Sequence, residues 1–420
     1  MRRGWALRLD LALYAVAAVA ALVTAFASEF YGYRMWGNFA APAYLAAFAL
    51  TARISLTGRG SRWTPVWVAW AAGTVVPMLV LVFRRAPSFV WGPWPWSFPA
   101  QPEVWVIERS ARALFADGTP YLDLDTLNRA PHADDYTPYG PSMTLFGFPR
   151  AWFGDHPLTD SRVMFLLVSV AAIGTAWHLL GRPAVPVRAA HLAVVSPLTA
   201  LTLTVAGDDV AVIALIVLAG VLAYRTGPAW SGALCAVLVT MKLTALPAAA
   251  VLAVGVLATR GSRAFAAFAC ALGAVGVAIV LPVLAADPAA FVEHVVKFPV
   301  GLGRASSPAS SPLPGHLVAS IGPAGHTAAL VLLGLAACAV AAWVTLRPPE
   351  TPADAMLRVA TGLGAAIALA PATRWGYLVY PVALLGAMIA FTPAAREQTG
   401  EPVSAFDSGV DSAAEASRPT

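Results

Sequence analysis

Charged side chains are scarce in this chain of 420 residues. Asp, Glu, Lys and Arg together make 12% of it, about half the share found in an ordinary soluble domain, and that deficit excludes a conventional water-soluble fold. Cysteine is scarcer still. Cys235, Cys270 and Cys338 all fall inside apolar runs, which excludes a disulfide framework or a cysteine metal knot and leaves them as small hydrophobes. No soluble nucleotide-binding motif is present. What fills the chain instead is apolar, at 59% hydrophobic residues and a mean hydropathy of +0.70. This is the composition of an all-α polytopic membrane protein. The net charge of +5 does not point to nucleic acid, because the arginines sit mostly in short loops between apolar runs, where positive charge sets topology.

Arg2, Arg3 and Arg8 precede an apolar run over 9–27 that ends in Ala25, Phe26 and Ala27, as a secretory signal would. The run is longer than a signal core of about 7 to 15 residues and further runs follow at once, so an uncleaved first span is expected. Runs long enough to cross a hydrocarbon core recur over 36–52, 64–83, 161–180, 188–205, 208–224, 263–284, 324–346, 355–371 and 375–392. The stretch 229–259 is too long for one span and holds Lys242 and Pro247 in its middle. As a single span it would set Arg260 and Arg263 on the opposite side from Arg53, Arg59, Arg62, Arg182, Arg188 and Arg225, against the positive-inside rule. A hairpin with its tip at Lys242 to Pro247 restores the sign. The expected architecture is therefore about 12 membrane helices with both termini cytoplasmic and one membrane domain over 1–392, followed by a disordered cytoplasmic tail over 393–420.

That topology gathers the polar residues outside, in the loops 84–160 and 286–323, at Gly207, Asp208 and Asp209, and at Ala372 to Trp375. Within the first loop, Pro102 and Gly118 frame a helix of about 14 residues. Val104, Ile107, Ala111 and Leu114 share one face, with Glu108 and Arg112 paired at i, i+4 on another, so an amphipathic helix on the membrane surface is expected. Trp91, Trp94, Trp96 and Trp105 suit the interface.

The run Glu103 to Ile107, then Arg109 to Phe115, Gly118, Pro120 and Tyr121, resembles the first outer loop of glycosyltransferase family 87, polyprenol-phosphate-sugar-dependent enzymes of the GT-C fold, here of actinobacterial type. Tyr136, Pro138 and Pro141 are similar to the family's Tyr-Pro-Pro element, and Met241 to Thr244 with Pro247 to its Lys-Leu-Thr-Pro segment. Ala370 to Tyr377 resemble the element that opens its last helix. Glu103 stands where aspartate is more usual, Tyr377 where histidine is common, and three spans precede the loop where members usually show one. The resemblance implies transfer of a sugar, most often mannose, from a polyprenyl-phosphate donor to a membrane glycolipid or glycan acceptor, such as a phosphatidylinositol mannoside, on the outer face of the cell membrane. A pentose such as arabinose on the same carrier stays open.

On that resemblance Glu103 is the general base. Read alone, it is equally a carboxylate in a first helical turn, favoured by the helix dipole. Lys242, expensive inside the membrane unless functional, and Arg374, with its forked guanidinium, are the donor-phosphate candidates. Snorkelling is the rival account of Lys242. Asp208, Asp209, Tyr136, Trp375 and Tyr377 are candidate sugar or acceptor contacts, although helix capping and interfacial anchoring explain several of them. Asp134 and Asp135, with His132, are weak candidates for a divalent cation; one short cluster makes a poor cage, so a solvated loop is the default reading and a cation stays open. Lys297, Arg304 and His316 lie in the second loop, where gating or binding of the carrier is one reading and solvation the default. The competing function class is a transporter or lipid flippase with no transferase activity, since broken helices and buried charges also serve transport. Neither an internal repeat nor a mid-membrane cluster of polar residues supports it.

Overall fold

The computed structural model describes residues 2–85, 101–299, 301–306 and 308–399. Trp91, Trp94 and Trp96 lie outside the described residues, as does the tail from 400 onward. The described residues form helices and loops, with one isolated bridge between Ser310 and Thr373. In chain order the long helices are α1 (Arg2–Ala27), α2 (Tyr31–Thr57), α3 (Trp63–Phe83, with a π-helical turn at Ala71–Val75) and α4 (Pro102–Asp117). Then follow α5 (Ser161–Leu179), a bent α6 (Val187–Val195 and Pro197–Val205, 41° apart), α7 (Asp208–Arg225) and α8 (Pro228–Val239). The stretch Leu246–Ala286 is broken at Gly261, whose φ of 81° belongs to the left-handed region that glycine tolerates, into α9 (246–260) and α10 (262–286). The last three are α11 (Pro323–Leu346), α12 (Pro352–Leu369) and α13 (Val379–Thr399).

Among the described residues, eight helical stretches are long and apolar enough to cross a membrane, or nine if the bent pair of α6 is one span; Leu243–Ala286 enters that set as a single stretch. The central helix, α7, is buried on nearly every side, from Ala211 through Val217, and its neighbours in the core are α5, α8, α12 and α13. It carries Asp208 and Asp209 at its N-terminal end, buried like the rest. α8 and α9 form a tight antiparallel hairpin whose tip, at Lys242, is extended rather than helical.

α4 starts at Pro102, whose missing N–H costs nothing there, and ends at Gly118 with φ 73°. Its environment differs from expectation. Val104, Val106, Ile107, Glu108, Ser110 and Ala111 are all buried, so the first two-thirds of the helix is packed in protein on its polar side as well, while Arg112 and Phe115 to Asp117 are exposed. Glu108 is not paired with Arg112. It accepts from Arg85 at 2.6 Å and faces Arg150 at 3.2 Å, while Arg112 turns to Asp155 at 2.7 Å. Arg85 also reaches Asp160, which is held by Arg162, giving a water-poor network of five side chains that ties α3, α4 and the start of α5 together. Trp105 likewise packs against the main core, with the Arg109 guanidinium over its ring at 4.7 Å.

Candidate functional site

The segment Thr137 to Thr144 runs against the hairpin tip. Gly140 donates its N–H to the Met241 carbonyl at 3.0 Å, Ser142 donates its own to Thr240 O at 3.2 Å, and the Ser142 and Thr240 hydroxyls meet at 2.6 Å. A β-carbon on Gly140 would stand 2.1 Å from the Thr240 oxygen, so only glycine permits this approach. The contact fixes Lys242 in an extended backbone between two helix ends, with its ammonium turned inward.

Around that ammonium the sequence-distant candidates converge. Lys242 Nζ donates to Asp208 Oδ2 at 3.0 Å and to Asp209 Oδ1 in a shorter contact. Tyr380 Oη donates to the same Asp209 oxygen at 2.7 Å. The rings of Tyr139 and Tyr377 flank the ammonium, with centroids 5.4 and 5.7 Å away. Two carboxylates thus more than offset the charge of Lys242, whose ammonium lies beside both rings.

A second cluster is built from α4 and the segment before α13. Arg374 Nη1 donates to Glu103 Oε1 at 2.8 Å. The other carboxylate oxygen of Glu103, Oε2, is buried and has no hydrogen-bond partner among the described residues. Such an atom is costly unless something else occupies the space. Arg374 is held by the bridge Ser310 to Thr373: Ser311 N–H reaches Thr373 O at 2.9 Å, and Trp375 N–H reaches the Ser311 hydroxyl at 3.0 Å. The two clusters share one field. Burial pushes the Tyr139 phenol well above its usual value, Asp208 reinforces the shift, Lys242 opposes it, and Glu103 adds to it.

Not every candidate joins them. Tyr136 is fully buried and faces away, stacked on Phe298 at 4.0 Å and donating to Glu293 at 3.0 Å, so it props a loop. Trp375 is half-exposed. Asp135 accepts a forked pair from Arg129, at 2.6 and 2.7 Å, and the His132 N–H at 2.7 Å. Asp134 faces His132 at 3.5 Å; burial raises its carboxyl above the usual range, and Glu103 is close enough to add to that. Among the described residues no three His, Cys, Asp or Glu side chains gather as a metal site, so the Asp134 and Asp135 pair has the character of a salt-bridged turn. In the second loop, Lys297 pairs with Glu293, Arg304 with Asp125, and His316 contacts the Pro371 carbonyl.

Three participants escaped the sequence reading: Tyr139, Tyr380 and His294. Tyr380 follows Tyr377 by three positions, one helical turn on, and that spacing could have flagged it. His294 bears no local signal.

The glycosyltransferase family 87 model matches residues 136–372, more than half of the chain. The matched part includes Lys242, Asp208 and Asp209; Glu103 and Arg374 lie outside it. No curated protein matches the chain. Among solved structures the chain is similar to the crystal structure of ArnT from Cupriavidus metallidurans bound to undecaprenyl phosphate, at 19% identity and a TM-score of 0.44. That alignment covers 76% of this chain and 59% of the other, so the chain spans less than two thirds of that protein's length.

Proposed function

The chain belongs to glycosyltransferase family 87, and from that premise we propose that it transfers a sugar, mannose in the first instance, from a polyprenyl-phosphate donor to a glycolipid or glycan acceptor at the outer face of the cell membrane, in the GT-C manner. The observation that carries the reading is the buried, unpartnered Oε2 of Glu103, beside an Oε1 that Arg374 holds in place. A carboxylate fixed at one oxygen and vacant at the other is suited to take a proton from an incoming hydroxyl. The acceptor oxygen, losing that proton to Glu103, attacks the anomeric carbon of the donor sugar. The bond from that carbon to the carrier phosphate breaks, and the electron pair leaves on the phosphate oxygen. Arg374 is the cation best placed to meet this developing charge, since its single ion pair leaves other guanidinium donors for a phosphate. Lys242, matched by Asp208 and Asp209, contributes less charge and holds those carboxylates towards sugar hydroxyls.

The test is transfer of radiolabelled polyprenyl-phosphate mannose to membrane glycolipids by the purified chain in lipid. Glu103→Gln is expected to lower turnover by about 10² to 10⁴, and Arg374→Ala to weaken donor use. Undiminished transfer by Glu103→Gln would remove the proposed base. No transfer from any polyprenyl-phosphate sugar, with substrate-dependent flux across vesicles instead, would replace the transferase with a transporter.

A further inference from the structure

We propose that His294, in the second large loop, is a positioning residue of this site: through the backbone of Thr137 it holds the segment 137–140 so that Tyr139 lies against Lys242. His294 is completely buried. Its Nδ1 accepts the Thr137 N–H at 2.9 Å, and its Nε2 faces the Leu122 carbonyl at the same distance, which sets the tautomer with the proton on Nε2. The ring lies between Tyr121, stacked at 5.4 Å, and Tyr136, tilted at 5.0 Å. Tyr121 donates its hydroxyl to the carbonyl of Tyr139 at 3.2 Å. One imidazole therefore fixes the segment directly at Thr137 and, by its stack on Tyr121, indirectly at Tyr139.

The rest of the segment is pinned from other sides. Ser110 meets the Thr137 hydroxyl at 3.0 Å from α4, Arg109 holds the Asp135 carbonyl at 2.9 Å, and the hairpin tip takes Gly140. The second loop enters this set at Thr137 N–H, next to its contacts with Tyr136 through Glu293 and Phe298. Burial lowers the His294 pKa to about 4, so the Nδ1 acceptor persists through the ordinary pH range.

Two variants separate positioning from bulk packing. His294→Asn keeps an acceptor near the place of Nδ1 and gives up the donor to Leu122; His294→Gln keeps a donor near Nε2 and gives up the acceptor. Both open space in the core and are expected to lower the melting temperature alike. Only His294→Gln is expected to accelerate amide exchange over 137–140 and to lower kcat/KM, by about tenfold or more, since it strands a buried N–H. The kinetic arm rests on the transferase reading and the exchange arm does not. If the wild type transfers no sugar, that reading fails while exchange still decides the clamp. Equal exchange and equal kinetics in the two variants would overturn the proposal.

Discussion

At the scale of single residues, the site is two ion pairs of different completeness. Lys242 is saturated by Asp208, Asp209 and two aromatic faces, whereas Glu103 has one oxygen held and one vacant. On the proposed reading, that second oxygen is the proton acceptor and Arg374 the phosphate ligand. His294 carries a second residue-level consequence. Its folded pKa, about 4, lies below the ordinary histidine value, through burial first and also the nearby Arg109, with the hydrogen bond to Leu122, then Glu293 and Asp287, opposing. A histidine depressed in this way contributes stability that is whole above pH of about 6.5 and is lost as pH falls towards its folded value. Thermal melts from pH 7 down to 4.5 should therefore show a steeper loss of stability for the wild type than for His294→Asn, which cannot take the proton. Parallel curves would contradict the burial argument. Lys242, Asp208, Asp209 and Arg374 stand out in the sequence as charges within or beside apolar runs, whereas Glu103 is nominated by the family resemblance. His294 could not, since its partners Thr137 and Leu122 offer only backbone atoms.

At the scale of elements, the hairpin of α8 and α9 was legible in the sequence, because a single helix would have placed Arg260 and Arg263 on the side opposite the other loop arginines. The fate of α4 was not. Its apolar stripe and its Glu108 and Arg112 spacing describe a surface helix, and the partners that bury it, Arg85, Arg150 and Asp160, are remote in sequence. Periodicity reports which residues one helix aligns, not what the fold brings against them. The junction of loop and hairpin supplies a sharp test. In Gly140→Ala the new methyl would collide with the Thr240 carbonyl, and the two backbones must part. A loss of about 1 to 3 kcal/mol in stability is expected from such overpacking, together with a larger loss of transfer because Lys242 moves with the tip. Chemical denaturation alongside the transfer assay measures both.

At the scale of the whole molecule, the expected orientation puts both termini inside and the site outside. Arg59 and Asp125 are both exposed and fall on opposite sides in that arrangement. An Asp125→Cys variant should react with a membrane-impermeant thiol reagent in intact cells, and an Arg59→Cys variant only after permeabilisation; the reverse pattern would invert the topology. Composition fixed the class and positive charge suggested the sidedness, but the convergence of α4, α7, the hairpin tip and the start of α13 on one spot depends on packing that no single stretch of sequence encodes.

α8, at 12 residues, rises only about 18 Å, short of a hydrocarbon core of about 30 Å. In the expected topology, where α8 starts at the inner face, Lys242 just beyond its end lies below the outer rim of the bilayer. A substrate headgroup that reaches this depth arrives sideways, diffusing in the plane of the membrane. For such an encounter the relevant abundance is molecules of donor per molecule of lipid. Diluting the donor with inert lipid at constant bulk concentration would then slow the reaction, while diluting the whole vesicle suspension would leave the turnover of each embedded copy unchanged.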